Sequence, residues 1–204
     1  DSLPIFSIVS YRSRWDTAVA EVSSIAGDLP GFTAQENLGK RIFFGQNDSN
    51  TRGLCGTCHL MANELSFVPP NAPANPRNNT AVFYVVAPAD DGLGNADEGV
   101  GAIDGVAADD GKFKAPSLRN VALRAPYMHD GRFATLEDVI DHYDHGIAAD
   151  ANLDPALRQG PPTSGTPIQL HLSPDEKAAL VAFLNTLSDD TLATDERFSN
   201  PFPE

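Results

Sequence analysis

The sequence predicts a mainly α fold that carries one long irregular insertion. Three observations predict it. First, Thr33-Ala34-Gln35-Glu36, Thr135-Leu136-Glu137-Asp138 and Ser173-Pro174-Asp175-Glu176 all have the form of a capping box. In that motif a Thr or Ser and an acid three residues later satisfy each other's backbone N–H groups. Second, apolar residues at helical spacing follow each of the three. Third, the stretch 69–111 holds no sustained period and only one short candidate strand, Ala81 to Val86. A loop of that length is uncommon in a folded domain unless it has work of its own.

Taken in order, Ile5 to Val22 places Ile8, Tyr11, Trp15, Ala18 and Val22 roughly on one face and predicts a first helix. The helix opened by Thr33 carries Leu38, Ile42, Phe43 and Phe44 and is closed by Gly45. Gly39 and Phe43 share one face of it, and a glycine there lets another helix approach closely. The helix opened by Thr135 repeats Leu136, Val139, Ile140 and Tyr143 at i, i+3, i+4 and i+7 and stops at Gly146. The last helix has Pro174 at its first position. Its stripe is Leu180, Leu184 and Leu187, with Val181 and Phe183 on the flanks.

Composition narrows the function. The chain has 204 residues, a prior for about one to two domains. With 14 Lys+Arg against 28 Asp+Glu its net charge is −14. A surface of that sign repels phosphate, so nucleic acid is excluded as a partner. No apolar run approaches the ~20 residues of a membrane span. There are two cysteines, three positions apart, too local to staple a fold.

Those cysteines stand in Cys55-Gly56-Thr57-Cys58-His59. A C-x-x-C followed directly by His reads as a c-type haem attachment site. Two thiols reach the two vinyl groups on one edge of the porphyrin, and the next residue sets an imidazole under the iron. A thioredoxin-type pair needs a preceding strand, and residues 46–53 read as a loop. A zinc site needs a second ligand pair at suitable spacing, and none follows. The expectation is one covalent haem c on Cys55 and Cys58, with His59 proximal. A helix before this motif and a crossing helix at the end of the domain is the arrangement of a cytochrome c-like helical haem domain. Such attachment predicts an exported, periplasmic protein, with any export signal upstream of Asp1 or already removed.

The distal ligand decides whether such a site carries electrons or binds peroxide. Met61 lies two residues from His59 and cannot reach the opposite face. Met128, His129, His142, Tyr143 and His145 remain. On the residues alone Met128 leads, because Met is the commoner partner of His in electron-transfer haems. Arg119 is a candidate for pairing with a haem propionate, since Arg forks onto carboxylates. His129, in a His-Asp-Gly turn, is a candidate supporting or catalytic group, or part of an interface. His145 and His171 read as surface. From Asp90 to Gly111 there are seven acidic residues and no basic one. They read as a solvated loop, with calcium as the alternative, although the spacing departs from an EF-hand.

The run Gly111-Lys112-Phe113-Lys114-Ala115-Pro116-Ser117-Leu118-Arg119-Asn120-Val121-Ala122-Leu123-Arg124-Ala125-Pro126-Tyr127-Met128-His129-Asp130-Gly131-Arg132-Phe133 is distinctive. So are residues 135–143 and the segment Ser7 to Asp16. Together they resemble the bacterial dihaem cytochrome c peroxidase and MauG-like family, and in particular its C-terminal haem domain, from about Ser7 to Leu187. The resemblance implies an interdomain-like N-terminal segment at 1–30, a cytochrome c domain at 31–190 and a tail at 191–204. It implies electron transfer in a peroxide-linked oxidoreductase system, with hydrogen peroxide and a redox partner or a second haem domain as partners. It places the distal ligand, Met or Tyr in the family, at Tyr143, which with His129 is then a candidate for catalysis. It also implies a calcium ion held partly by the backbone oxygens of Arg124 and Pro126. The family carries two haems and this chain has one C-x-x-C-H. The alternative is therefore a stand-alone electron carrier or an accessory cytochrome subunit without catalysis of its own.

Overall fold

The computed structural model describes residues 12–46, 55–59, 89–94, 96–159, 166–192 and 194–196. The candidate strand at Ala81 to Val86, Met61 and the start of the helix expected over Ile5 to Val22 lie outside the described residues; within them that helix is shorter than expected, running only from Arg14 to Ala20 because Ser13 stands extended as its cap. Helix α1 (Arg14–Ala20) starts at Ser13, whose side chain and Asp16 form a reciprocal capping box. Helix α2 (Ala34–Phe43) starts at Thr33 with Glu36 as its partner, as the sequence predicts. The turn α3 (Cys55–Cys58) carries the cysteine motif. Strand β1 (Ala89–Asp90), helix α4 (Gly101–Asp104) and strand β2 (Lys112–Phe113) follow, with β1 and β2 antiparallel in the register Ala89↔Phe113. The chain between β1 and β2 is thus irregular but pinned at both ends.

Helix α5 (Leu136–Asp141) is capped by Thr135 and widens into a π-helical turn at His142–Gly146. The expected stop at Gly146 holds, but the last turn is wider than an α-helix, a feature that often marks functional sites. A short antiparallel pair, β3 (Arg158–Gln159) and β4 (Thr166–Pro167), precedes helix α6 (Pro174–Asn185), capped by Ser173.

Helices α2 and α6 cross at Gly39. A Cβ built there would lie 1.9 Å from the Ala179 carbonyl oxygen and 2.8 Å from Phe183 Cβ. The close approach expected of this glycine is therefore real. On α6 the buried face is Ala179, Leu180, Phe183 and Leu184. Phe183, expected on the flank, is fully buried at the centre, edge-on to Trp15 with ring centroids 5.4 Å apart. Trp15 also stacks on Phe44 at 5.9 Å, and its backbone N–H donates to the Thr186 carbonyl. Lys40, fully buried on α2, donates from Nζ to the carbonyls of Ile25 and Gly27 and so fixes the loop between α1 and α2. Burial pulls its pKa down.

Arg14 clamps Glu36 with two bonds, at 2.5 and 2.9 Å. Burial alone would raise the Glu36 carboxyl; the Arg14 fork and the Thr33 groups outweigh it and hold the carboxyl below its ordinary value. A depressed folded value means that the unfolded chain takes up the proton first as pH falls. The contribution is whole above the ordinary glutamate range and is lost as pH drops through the folded value. Glu36→Gln is expected to cost about 1 kcal/mol at neutral pH, as loss of a cap does, and to flatten the acid limb of stability. Denaturant unfolding of the haem-loaded protein between pH 3 and 7 checks it; identical acid limbs in parent and variant would refute it.

Candidate haem site

The cysteine motif is built against the end of α2. Gly56 sits where a Cβ would meet Phe44 Cδ1 at 2.9 Å, so only glycine lets the turn pack on that ring. Cys55 packs against the hydrophobic core, and the two cysteines form no disulfide. Burial pushes the Cys55 thiol up to about 11. A dithiol redox motif needs the opposite, a lowered thiol pKa.

His59 continues the turn, its N–H donating to the Cys55 carbonyl at 2.9 Å. Its ring Nδ1 lies 2.9 Å from the Pro116 carbonyl oxygen. A carbonyl only accepts, so Nδ1 carries a proton, and in the neutral ring Nε2 keeps its lone pair. This is how proteins orient a metal-ligating histidine and raise its basicity.

Tyr143 stands on the π-helical turn, half-buried, with its ring 5.0 Å from that of His142. Burial is the main cause that drives its hydroxyl well above the usual tyrosine range, followed by Asp91, Cys55 and Cys58. The charges that act on the phenol thus include both cysteines, 85 and more residues away in sequence. Two thiols, an imidazole in the ligating tautomer and a phenol fit a c-type haem.

The surrounding residues divide. Asp91 holds both histidines next to the site: its Oδ2 pairs with His129 Nδ1 at 2.7 Å and its carbonyl accepts from His142 Nε2 at 2.9 Å. The His129 ring lies flat on Phe113, centroids 3.8 Å apart. Gly92 has φ 79°, and a Cβ there would meet Ile147 Cγ2 at 2.8 Å, which keeps this segment tight on the π-turn. Met128 is half-buried in a left-handed conformation at φ 71°, an arrangement costly for a non-glycine residue. Arg119 turns away to α1, where its fork binds Asp16 with two bonds of 2.9 Å. His145 and His171 are exposed, as expected.

Beyond Asp91, three acids of the insertion are bound locally. Asp97 and Asp104 accept N–H groups two residues on, and Asp109 pairs with Lys112 at 2.8 Å. Among the described residues no group of three or more His, Cys, Asp or Glu is arranged to hold a metal ion. Pro116 and Asp91 are the two residues of the site that sequence reasoning misses. One acts through a carbonyl, which no residue type announces, and the other is hidden in an acidic run.

No protein-family profile matches the chain. A solved MauG-like protein associated with microbial copper homeostasis superposes with a TM-score of 0.64 at 34% identity, over 94% of this chain and 56% of that one. The cytochrome-c peroxidase IdrP2 of Denitromonas iodatirespirans is 34% identical over 179 residues, 82% of this chain and 43% of the relative. The chain belongs with the bacterial cytochrome-c peroxidase and MauG-like proteins. The MauG protein of Paracoccus denitrificans is a further relative of this family, 30% identical over 181 residues, 78% of this chain and 43% of its own length. The chain thus spans less than half the length of these curated relatives. Membership implies a c-type haem. Among the described residues no helix is long and apolar enough to cross a membrane.

Proposed function

We propose that this chain holds one covalent haem c through Cys55 and Cys58, with His59 as proximal and Tyr143 as distal ligand, in a cytochrome c-like domain over residues 31–190. Its role is electron transfer in an exported, peroxide-linked oxidoreductase system, alongside a redox partner or a second haem domain. The observation that carries this reading is the bond from His59 Nδ1–H to the Pro116 carbonyl, made directly after the turn that presents Cys55 and Cys58.

The bound haem supplies one-electron chemistry at a potential set by its axial ligands. The chain's residues do the rest. Cys55 and Cys58 anchor one edge, so His59 is the proximal group. Pro116 keeps the imidazole proton on Nδ1 and strengthens Nε2 as a donor. Tyr143 would hold the group as a phenolate, whose negative charge would favour the oxidised state. The packing of α2 on α6 fixes the wall that carries Phe44 and with it the cysteine turn.

Tyr143→Phe is expected to change the ferric absorption and EPR spectra and to raise the midpoint potential, because a charge-donating ligand is lost. Spectra identical to the parent would remove Tyr143 as a ligand. A spectral change on Met128→Ala in that case would assign the position to Met128.

A further inference from the structure

The segment Pro116–Asn120 connects His59 to the far side of the fold. Its first residue offers the carbonyl that holds His59 Nδ1 at 2.9 Å. Three residues on, Arg119 forks onto Asp16 of α1, Nη1 to Oδ2 and Nη2 to Oδ1, both at 2.9 Å. The partners are 103 residues apart, and only 13% and 9% of their side chains are exposed. A bidentate Arg–carboxylate pair fixes direction as well as distance, and shielding keeps salt from screening it.

Both ends of this bridge are held. Asp16 Oδ2 also accepts the backbone N–H and the hydroxyl of Ser13 at the start of α1. Next to Arg119, the buried Asn120 takes a left-handed φ of 57° and gives its N–H to the Leu187 carbonyl at 3.0 Å. Its Oδ1 accepts the Asp189 N–H at 2.7 Å. The Arg119 N–H reaches back to Ser117 Oγ at 3.2 Å. The segment is thus tied at one end to α1 and to the exit of α6. Pro116, whose ring fixes its own φ, faces the imidazole at the other end.

We propose that Asp16 and Arg119 are positioning residues for His59: their shielded bridge sets where the Pro116 carbonyl stands, and so how strongly it draws on the Nδ1 proton. This rests on the haem reading above. A firm Nδ1–H···O=C bond gives the imidazole more negative character, which stabilises the oxidised iron and lowers the potential. Loosening the bridge weakens that bond and raises the potential. A solvent-facing ion pair would have no such reach.

The test uses the haem-loaded full chain. Asp16→Asn is expected to move the oxidised-to-reduced equilibrium about threefold toward reduced, a rise of ~28 mV for a one-electron couple. Exchange of the His59 Nδ1 proton, followed by NMR, is expected to quicken. Arg119→Lys keeps the charge and one N–H donor and is expected to give a smaller shift in the same direction. It also covers the case in which Asp16→Asn does not fold. Ser173→Ala removes the cap of α6 and touches no bond of the bridge, so stability falls while the potential stays at the parent value. Haem-loaded Asp16→Asn or Arg119→Lys with the parent's potential and proton exchange would overturn the inference alone. A parent chain without covalent haem, by pyridine haemochrome assay, would overturn the haem reading and the inference together.

Discussion

Replacing both Cys55 and Cys58 with serine is expected to give a chain that loses its haem on denaturation, while the parent keeps it. The serine hydroxyl forms no thioether, and the motif offers no other anchor. The single variants are each expected to retain haem through the remaining bond. Haem staining after denaturing electrophoresis and intact mass read the outcome directly. The loaded parent is expected to show no titratable thiol, because the chain has two cysteines and both are consumed. The half-buried position of Cys55 against the core makes this sharper. Its thiol, pushed up to about 11, stays protonated at neutral pH and reacts poorly unless the chain opens. A denatured parent that titrates two thiols would end the haem reading.

Gly39→Ala carries the other large effect, this time on the fold. In an exposed helix the change gains about 1 kcal/mol, because alanine loses less backbone entropy than glycine. Here the new methyl would stand 1.9 Å from the Ala179 carbonyl oxygen. That atom belongs to the backbone of α6 and cannot rotate aside. The two helices must separate by more than an ångström, and Phe183, Phe43 and Trp15 lose contacts together. Overpacking of this kind costs about 3 kcal/mol or more, which exceeds the propensity gain. The denaturant midpoint is expected to fall sharply. Phe183→Ala on the same background is not expected to rescue it, because the obstacle is a carbonyl. A stability equal to or above the parent's would show that α2 and α6 do not cross at this residue.

The parts legible in the sequence are those written in neighbouring residues. The capping boxes at Thr33, Thr135 and Ser173 start helices where their spacing says they do. Gly39 announces a close approach because nothing else explains a glycine on an apolar helix face. Phe183 was less legible. Its position looks peripheral to a leucine stripe, yet the one aromatic ring of α6 takes the centre, packed against Trp15, Phe43 and Phe44. Lys40 misleads for a similar reason. A lysine on an amphipathic helix normally faces solvent, and only the carbonyls of Ile25 and Gly27 make its burial tolerable.

The site divides along the same line. Cys55, Cys58 and His59 are contiguous and carry their chemistry in their spacing. Tyr143 has helical periodicity, which reads equally as core, and the action of the cysteines on it emerges only in three dimensions. The Arg119 fork was expected at a haem carboxylate, and in the structure it rests on a carboxylate of the protein, Asp16. Arginine's preference for a planar acceptor was readable; the identity of an acceptor 103 residues away was not.

Asp91 gives the fold a division of labour. One residue at the root of the acidic insertion holds His129 by its side chain and His142 by its backbone. The insertion can therefore change in length and charge beyond Gly94 while its root stays the same. Variation on the outer loop would alter which surfaces the protein meets, and variation at the root would alter what surrounds Tyr143. The outer surface of the loop and the support of these two histidines are, on this fold, separable along a single stretch of chain.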